Sequence, residues 1–169
     1  MARGLIRTDR LVLRPLVPED AADLTAALQD WDVVRWLTSV PWPYGQADAD
    51  GFIAEEMAGR LSPLAVTEAG SLLGVISAET ELGYWLGKRH WGRGIMTEAG
   101  SALLARVFED PSRTAVSSCY LAGNERSAGV LTKLGFKQTG PGTRFSTALN
   151  ETVSCTEMAL HRKDWSPRA

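Results

Sequence analysis

Arg89, Gly92, Arg93 and Gly94 crowd into one short run, Lys88-Arg-His-Trp-Gly-Arg-Gly94. The glycines let backbone approach a ligand closely and accept positive φ where a turn needs it. The arginines can grip phosphate oxygens with a planar two-pronged fork, and Lys88 adds a third positive charge. A strand-like stretch, Glu81-Leu-Gly-Tyr-Trp-Leu86, runs into this turn, and an apolar periodic stretch starts at Ile95 just after it. A helix beginning there exposes unpaired N–H groups toward the same spot. The chemistry suited to that arrangement is the holding of a pyrophosphate by loop amides from Arg89 to Ile95. Glycine also marks ordinary turns, so Arg89–Gly94 alone is compatible with a plain strand-to-helix connection.

Two better-known phosphate motifs do not fit. The dinucleotide fingerprint needs a third glycine three residues after the second, and Gly94 is followed by none until Gly100. The Walker loop needs Gly-Lys-Ser or Gly-Lys-Thr, and Gly87-Lys88 is followed by Arg89.

The elements around this run form an α/β (α+β) pattern. Arg10 to Leu16 alternates as a first strand, and Pro18-Glu-Asp20 opens a helix whose acids suit the positive end of the helix dipole. Leu24, Ala27 and Leu28 give that helix an apolar stripe. Trp31 to Leu37 reads as a short helix, Val40 to Gly45 as a rigid aromatic loop, and Ala47 to Leu61 as a helix with Phe52, Ile53, Glu56 and Met57 on one face. Three strands follow as an antiparallel meander, Pro63–Thr67, Leu72–Ala78 and Glu81–Leu86. After the glycine turn, Ile95, Ala99, Ala102, Leu103 and Val107 recur at helical spacing. Thr114–Leu121 is the next strand, and a strand–helix–strand connection of this length suits a parallel crossover. Asn124 to Leu134 is a helix closed by Gly135. A strand starts at Phe136, Gly140-Pro-Gly142 reads as a loop, and a last strand covers Val153 to Leu160.

Composition narrows the function class. The chain has 169 residues, 44 % hydrophobic and 22 % charged, the profile of one globular domain spanning 1–169. A net charge of −2 argues against a general nucleic-acid binder. No apolar run is long enough to span a membrane, and the first ten residues lack a secretory apolar stretch, so a cytoplasmic location is expected. Two cysteines, Cys119 and Cys155, and two histidines, His90 and His161, show no zinc spacing, and free thiols are expected rather than a disulfide. No metal is expected.

In combination the motifs resemble the GNAT acetyltransferase superfamily, in particular its Rim-type branch of ribosomal-protein N-terminal acetyltransferases. Gly83-Tyr-Trp-Leu86, Arg89-x-x-Gly92-x-Gly94 and Thr97-Glu-Ala99 resemble its strand-four, phosphate-loop and helix-three signature. Asn124-Glu-Arg-Ser127, Leu131 and Lys133-Leu-Gly-Phe136 resemble its strand-five and helix-four signature. The order of elements from Arg10 to Leu160 is also the family's.

The resemblance implies a mixed central sheet of about six to seven strands, splayed between strands four and five and flanked by about four helices. It implies acetyl-CoA as the donor, with its pantetheine arm in the splay. Backbone near Trp85 and Leu86 is then expected to pair with pantetheine amides like an added strand. Arg89, Gly92, Arg93, Gly94 and Ile95 are expected at the pyrophosphate, and Asn124 at the cofactor arm, where it can also cap its helix. The implied reaction is acetyl transfer to a primary amine, a protein N-terminal α-amine or a small molecule, by direct attack in a ternary complex. Such a reaction needs a base for the amine and a proton for the departing thiolate. Glu81 is the expected base, directly or through water, against the plainer reading of a solvated strand-end carboxylate.

The family's common form supplies the proton from a Tyr seven residues after the Asn. Leu131 stands there, whereas Rim-type relatives carry a Ser three residues after the Asn, and Ser127 fits. A carboxylate used by Rim-type enzymes after strand six has no counterpart in Thr143–Ala148, where Ser146 stands near that place. Trp31, Trp36, Trp42 and Tyr44 belong to the region that walls the acceptor side in this family, or to the core. The alternatives are a non-catalytic acyl-CoA-binding or sensing domain on the same fold, and a nucleotide-binding module. Late strand edges leave room for a homodimer.

Overall fold

The computed structural model describes residues 4–167. It is a layered α/β structure of eight strands in two sheets and five α-helices. The first sheet has the order β1 (Ile6–Arg7), β2 (Val12–Pro15), β3 (Leu64–Glu68), β4 (Ser71–Ser77), β5 (Gly83–Leu86), antiparallel throughout. The short hairpin strand β1 lies ahead of the first strand expected from sequence, so the expected strands four and five are β5 and β6 (Ala115–Leu121). The second sheet has the order β6, β8 (Glu151–His161), β7 (Lys137–Ser146). The expected meander is β3–β4–β5.

One expectation is corrected in β7. Gly140-Pro-Gly142 lies inside this strand rather than in a loop, and the register against β8 shifts between Gln138 and Gly140. β7 is the edge strand of its sheet, and an edge strand with a bulge accommodates the proline, which has no N–H for a ladder.

The sheets meet at one place among the described residues. Glu81 bridges Ser117 in parallel, with Leu82 N–H donating to Ser117 O at 2.8 Å and Ser118 Oγ–H donating to Leu82 O at 2.7 Å. Beyond this point β5 and β6 run on side by side without ladder pairing. Their C-terminal halves form the walls of a cleft.

Helices cover both faces. On one face α1 (Ala21–Leu28), α2 (Trp31–Val34) and α3 (Gln46–Met57) pack Leu24, Leu28, Val34 and Ile53 onto Ala65 and Val75. On the other, α4 (Ile95–Val107) and α5 (Glu125–Leu134) bury Ile95, Ala99, Leu104 and Leu131 against Leu13, Val66 and Ile76. Strand alternation sends successive side chains to these two cores. Met57, expected on the buried face of α3, is 60 % exposed because α3 ends there, whereas Glu56 is buried. Asp20, just ahead of α1, is tied to β2 by two 2.8 Å bonds from Arg14, and the Asp20 hydrogen bond is what raises the arginine's pKa. Gly135, at φ +99°, closes α5. No helix among the described residues is long and apolar enough to cross a membrane.

Candidate active site

A cavity of about 470 Å³ fills the cleft between β5 and β6. Its two ends are built differently. At one end is the start of α4. Gly94, at φ +71°, turns the chain into the helix, a conformation that costs any residue with a Cβ. The first backbone bond of α4 runs from Glu98 N–H to Gly94 O at 3.1 Å. The N–H groups of Ile95, Met96 and Thr97 are therefore outside the helical ladder, and all three residues line the cavity. Gly92 and Arg93 line it too.

The charges at this end are already engaged. Arg93 Nη2 lies 2.7 Å from Glu68 Oε2, and Lys88 Nζ lies 2.6 Å from Asp32 Oδ2. Arg89 is exposed, is not among the cavity-lining residues, and donates its Nε–H to His90 Nε2 at 3.2 Å. Burial first, then the charges of Arg89 and Arg93, hold the His90 imidazole below its ordinary pKa, with Glu68 opposing. Arg10 braces the loop from beneath, donating to Arg93 O at 2.7 Å and to Glu98 Oε2 at 2.6 Å. Lys88 and Arg93, expected to supply positive charge here, are each paired with a carboxylate, and Arg93 lines the cavity. The preformed part is the row of amides, with Arg93 in the cavity wall and Arg89 outside it.

The β5 wall follows from register. Gly87 N–H donates to Leu73 O at 2.9 Å, so the pairs that exchange bonds with β4 alternate from there to Val75↔Trp85 and Ser77↔Gly83. The Trp85 backbone therefore faces β4, and the Tyr84 and Leu86 backbones face the cleft. Trp85 and Leu86, both expected beside the cofactor arm, line the cavity together with Tyr84. Leu86 O accepts the Trp91 indole N–H at 3.0 Å, and the Arg126 guanidinium stacks 3.7 Å over the same indole.

The other end is assembled from distant segments. Asn124 caps α5, its Oδ1 accepting the Ser127 N–H at 3.3 Å, and both residues line the cavity. Leu131 is fully buried in the core. Tyr84 brings its hydroxyl to 2.9 Å from Ser127 Oγ. Glu81 stands across the cleft mouth, its side chain 41 % exposed, with Oε2 accepting from Arg144 Nη2 at 3.2 Å. Arg144 is held by Glu157 through bonds of 2.6 and 3.0 Å, which raise the arginine's pKa and lower the carboxylate's. Gly83 shares the face of Glu81 and Trp85, and nothing lies within 4 Å of where its Cβ would stand. Of the four early aromatics, Trp36 lines the cavity, Tyr44 is buried in the core, and Trp31 and Trp42 stack edge-to-face at 5.1 Å. Cys119 also lines the cavity, and burial pushes its thiol up to about 12. Both cysteines are free thiols.

The acetyltransferase (GNAT) domain family matches residues 10–137, a span that includes every residue lining the cavity. The chain belongs to that family. It is an acyltransferase, and acetyltransferases of this family use acetyl-CoA. Among curated relatives, "Putative ribosomal N-acetyltransferase YdaF" of Bacillus subtilis is 29 % identical over 147 residues, 78 % of this chain and 80 % of that protein. Among solved structures, a GNAT-family acetyltransferase from Bacillus anthracis superposes with a TM-score of 0.84 at 20 % identity, covering 95 % of this chain and 99 % of that one. RimJ of Mycobacterium smegmatis, solved in complex with CoA-disulfide, superposes with a TM-score of 0.77 at 21 % identity, covering 98 % and 89 %. These two structures speak for the fold.

Within this GNAT chain, the cleft gathers Glu81, Trp85, Leu86, Gly92, Arg93, Gly94, Ile95, Asn124 and Ser127 along one cavity wall or another, and leaves Arg89 at the rim. Sequence reasoning did not single out Arg10, Tyr84 as a side chain, Arg126, Arg144 or Glu157. Tyr84 stood inside a quoted motif, and strand alternation would have sent it to the α5 side. Arg144 and Glu157 carried no local signal, because their pairing depends on the β7–β8 register.

Proposed function

We propose that this chain moves an acetyl group from acetyl-CoA to a primary amine, on a protein N-terminus or a small molecule, by direct attack while both substrates are bound. The observation that carries the reading is one cleft lined by helix-start amides outside the helical ladder and, farther along, by both Ser127 and Glu81. Amides of Gly92 to Thr97 would hold the pyrophosphate, with Arg93 leaving Glu68 to share it and Arg89 adding charge from the rim. The Tyr84 and Leu86 backbones and Asn124 would take the pantetheine arm. Acetyl-CoA supplies an activated acyl carbon and a thiolate leaving group.

The amine would enter beside Gly83, between Glu81 and the indoles of Trp36 and Trp85. Glu81 keeps one carboxylate oxygen clear of Arg144 and accepts the amine proton, directly or through water. Ser127 hands its proton to the departing sulfur. Cys119 supports direct attack over a relay through the enzyme. A thiol that titrates at about 12 is not a nucleophile near neutrality. The ribosomal name of the Bacillus subtilis relative favours a protein N-terminus within the amine class.

The test is release of free thiol from acetyl-CoA across a panel of N-terminal peptides and small amines. Release that depends on the amine is expected. Ser127→Ala should then lower kcat about 100-fold, the lower range for positioned acid–base groups, with Glu81→Gln comparable at neutral pH. Coenzyme A binding without thiol release on any amine would leave a binding or sensing domain instead.

A further inference from the structure

Tyr84 is the one aromatic side chain of β5 that faces the α5 core, where its ring packs beside the buried residues around Leu131. Its hydroxyl meets two acceptors on the same residue. Ser127 Oγ lies at 2.9 Å and the Ser127 carbonyl at 3.2 Å. That carbonyl sits inside α5, where the helical ladder already offers it a donor. The nearer, uncommitted acceptor for the single phenolic proton is Oγ. Ser127 N–H is spent on Asn124 Oδ1. With both of these bonds in place, the serine hydroxyl proton is the one donor of Ser127 that no protein group takes, and the residue lines the cleft.

We infer that Tyr84 is a positioning residue for proton delivery, its phenol donating to Ser127 Oγ and so turning the serine proton toward the leaving sulfur. This rests on the reading of Ser127 given above. In the transfer, the new C–N bond forms as the C–S bond breaks, and the electron pair stays on sulfur. Sulfur takes the Ser127 proton, Glu81 takes the amine proton, and solvent restores the serine. As the serine proton departs, negative charge grows on Oγ. A hydrogen bond donated to a growing charge strengthens at that moment, so its value appears in the transition state more than in the bound ground state. Burial pushes the phenol up to about 12, which keeps it protonated across the working range and able to donate. Tyr84 itself changes no covalent bond.

The experiment is a double-mutant cycle with Tyr84→Phe and Ser127→Ala, read as kcat, KM for the amine, and coenzyme A affinity by calorimetry. Tyr84→Phe is expected to lower kcat about 10-fold, with KM and coenzyme A affinity within about 2-fold of wild type, as for a group used only in the transition state. In the Ser127→Ala background the same substitution should change kcat by less than about 2-fold, because the partner is gone. Full kcat in Tyr84→Phe, or an equal loss in both backgrounds, overturns the inference while leaving Ser127 in place. Full kcat in Ser127→Ala removes the reading beneath it. Replacement of the tyrosines by 3-fluorotyrosine, which preserves core packing and strengthens the donor, should hold kcat at or above wild type. A fall in kcat would count against the inference.

Discussion

The two ends of the cleft are made by different means. The proposed phosphate end is a continuous piece of chain, Gly92 to Thr97, whose donors are main-chain amides at a helix start, braced by Arg10. The chemical end joins Glu81, Tyr84, Ser127 and Arg144, brought from the β5 approach, β5, α5 and β7. A loop of amides tolerates change in the side chains around it, because the donors belong to the main chain. A constellation of side chains depends on every element that carries a member. The difference predicts that damage at the first end is read in coenzyme A affinity, and damage at the second in turnover and acceptor use.

The largest expected effect at the phosphate end comes from Gly94→Val. The left-handed backbone at this position costs a residue with a Cβ roughly 1–2 kcal/mol. If α4 relaxes to avoid that strain the amide row tilts, and coenzyme A affinity is expected to fall about 30-fold by calorimetry. An unchanged affinity would mean the amides do not hold the cofactor.

Gly83→Val probes the opposite end. The open space at Gly83 lies beside Glu81, so added carbons should obstruct the amine. The acceptor KM is expected to rise about 10-fold, the scale of a methylene or two in a fitted pocket, with coenzyme A affinity within about 2-fold. Loss of coenzyme A affinity instead would place Gly83 on the cofactor's path and erase the contrast.

The smallest effect concerns pH at the phosphate end. The His90 pKa lies below its ordinary value, first through burial and then through Arg89 and Arg93. A bound diphosphate adds negative charge and favours the protonated ring. Binding then takes up a proton, and affinity rises as pH falls through the histidine's value in the complex toward its lower value in the free protein. The expected gain is about 3-fold, the scale of a partly solvated ion pair, and His90→Gln should flatten it relative to wild type. For folding without cofactor the sign is opposite. A lowered folded-state value costs stability as pH falls below the unfolded value, so the free protein should melt lower in acid while the complex is relatively favoured.

Much of the fold was legible because periodicity reports burial. The α4 stripe of Ile95, Ala99, Leu103 and Val107, the β3–β4–β5 meander and the Gly135 cap all follow from local spacing. Gly140-Pro-Gly142 misled because glycine and proline mark both turns and bulges, and only pairing with β8 decides between them. The pairing of the basic residues beside the glycine turn was not legible for a related reason. Arg93 and Lys88 are adjacent to the loop in sequence, but their partners, Glu68 and Asp32, are tens of residues away.

The sequence by itself determined the glycine turn into α4, since glycines, a helix start and basic neighbours are all properties of consecutive residues. Only the tertiary structure decided which side chains meet at the reacting end. Tyr84 and Ser127 are 43 residues apart, and Glu81 and Arg144 are 63 apart. Hydrogen bonds across such separations depend on strand register and on where two sheets part, and neither quantity is written in any local stretch of chain.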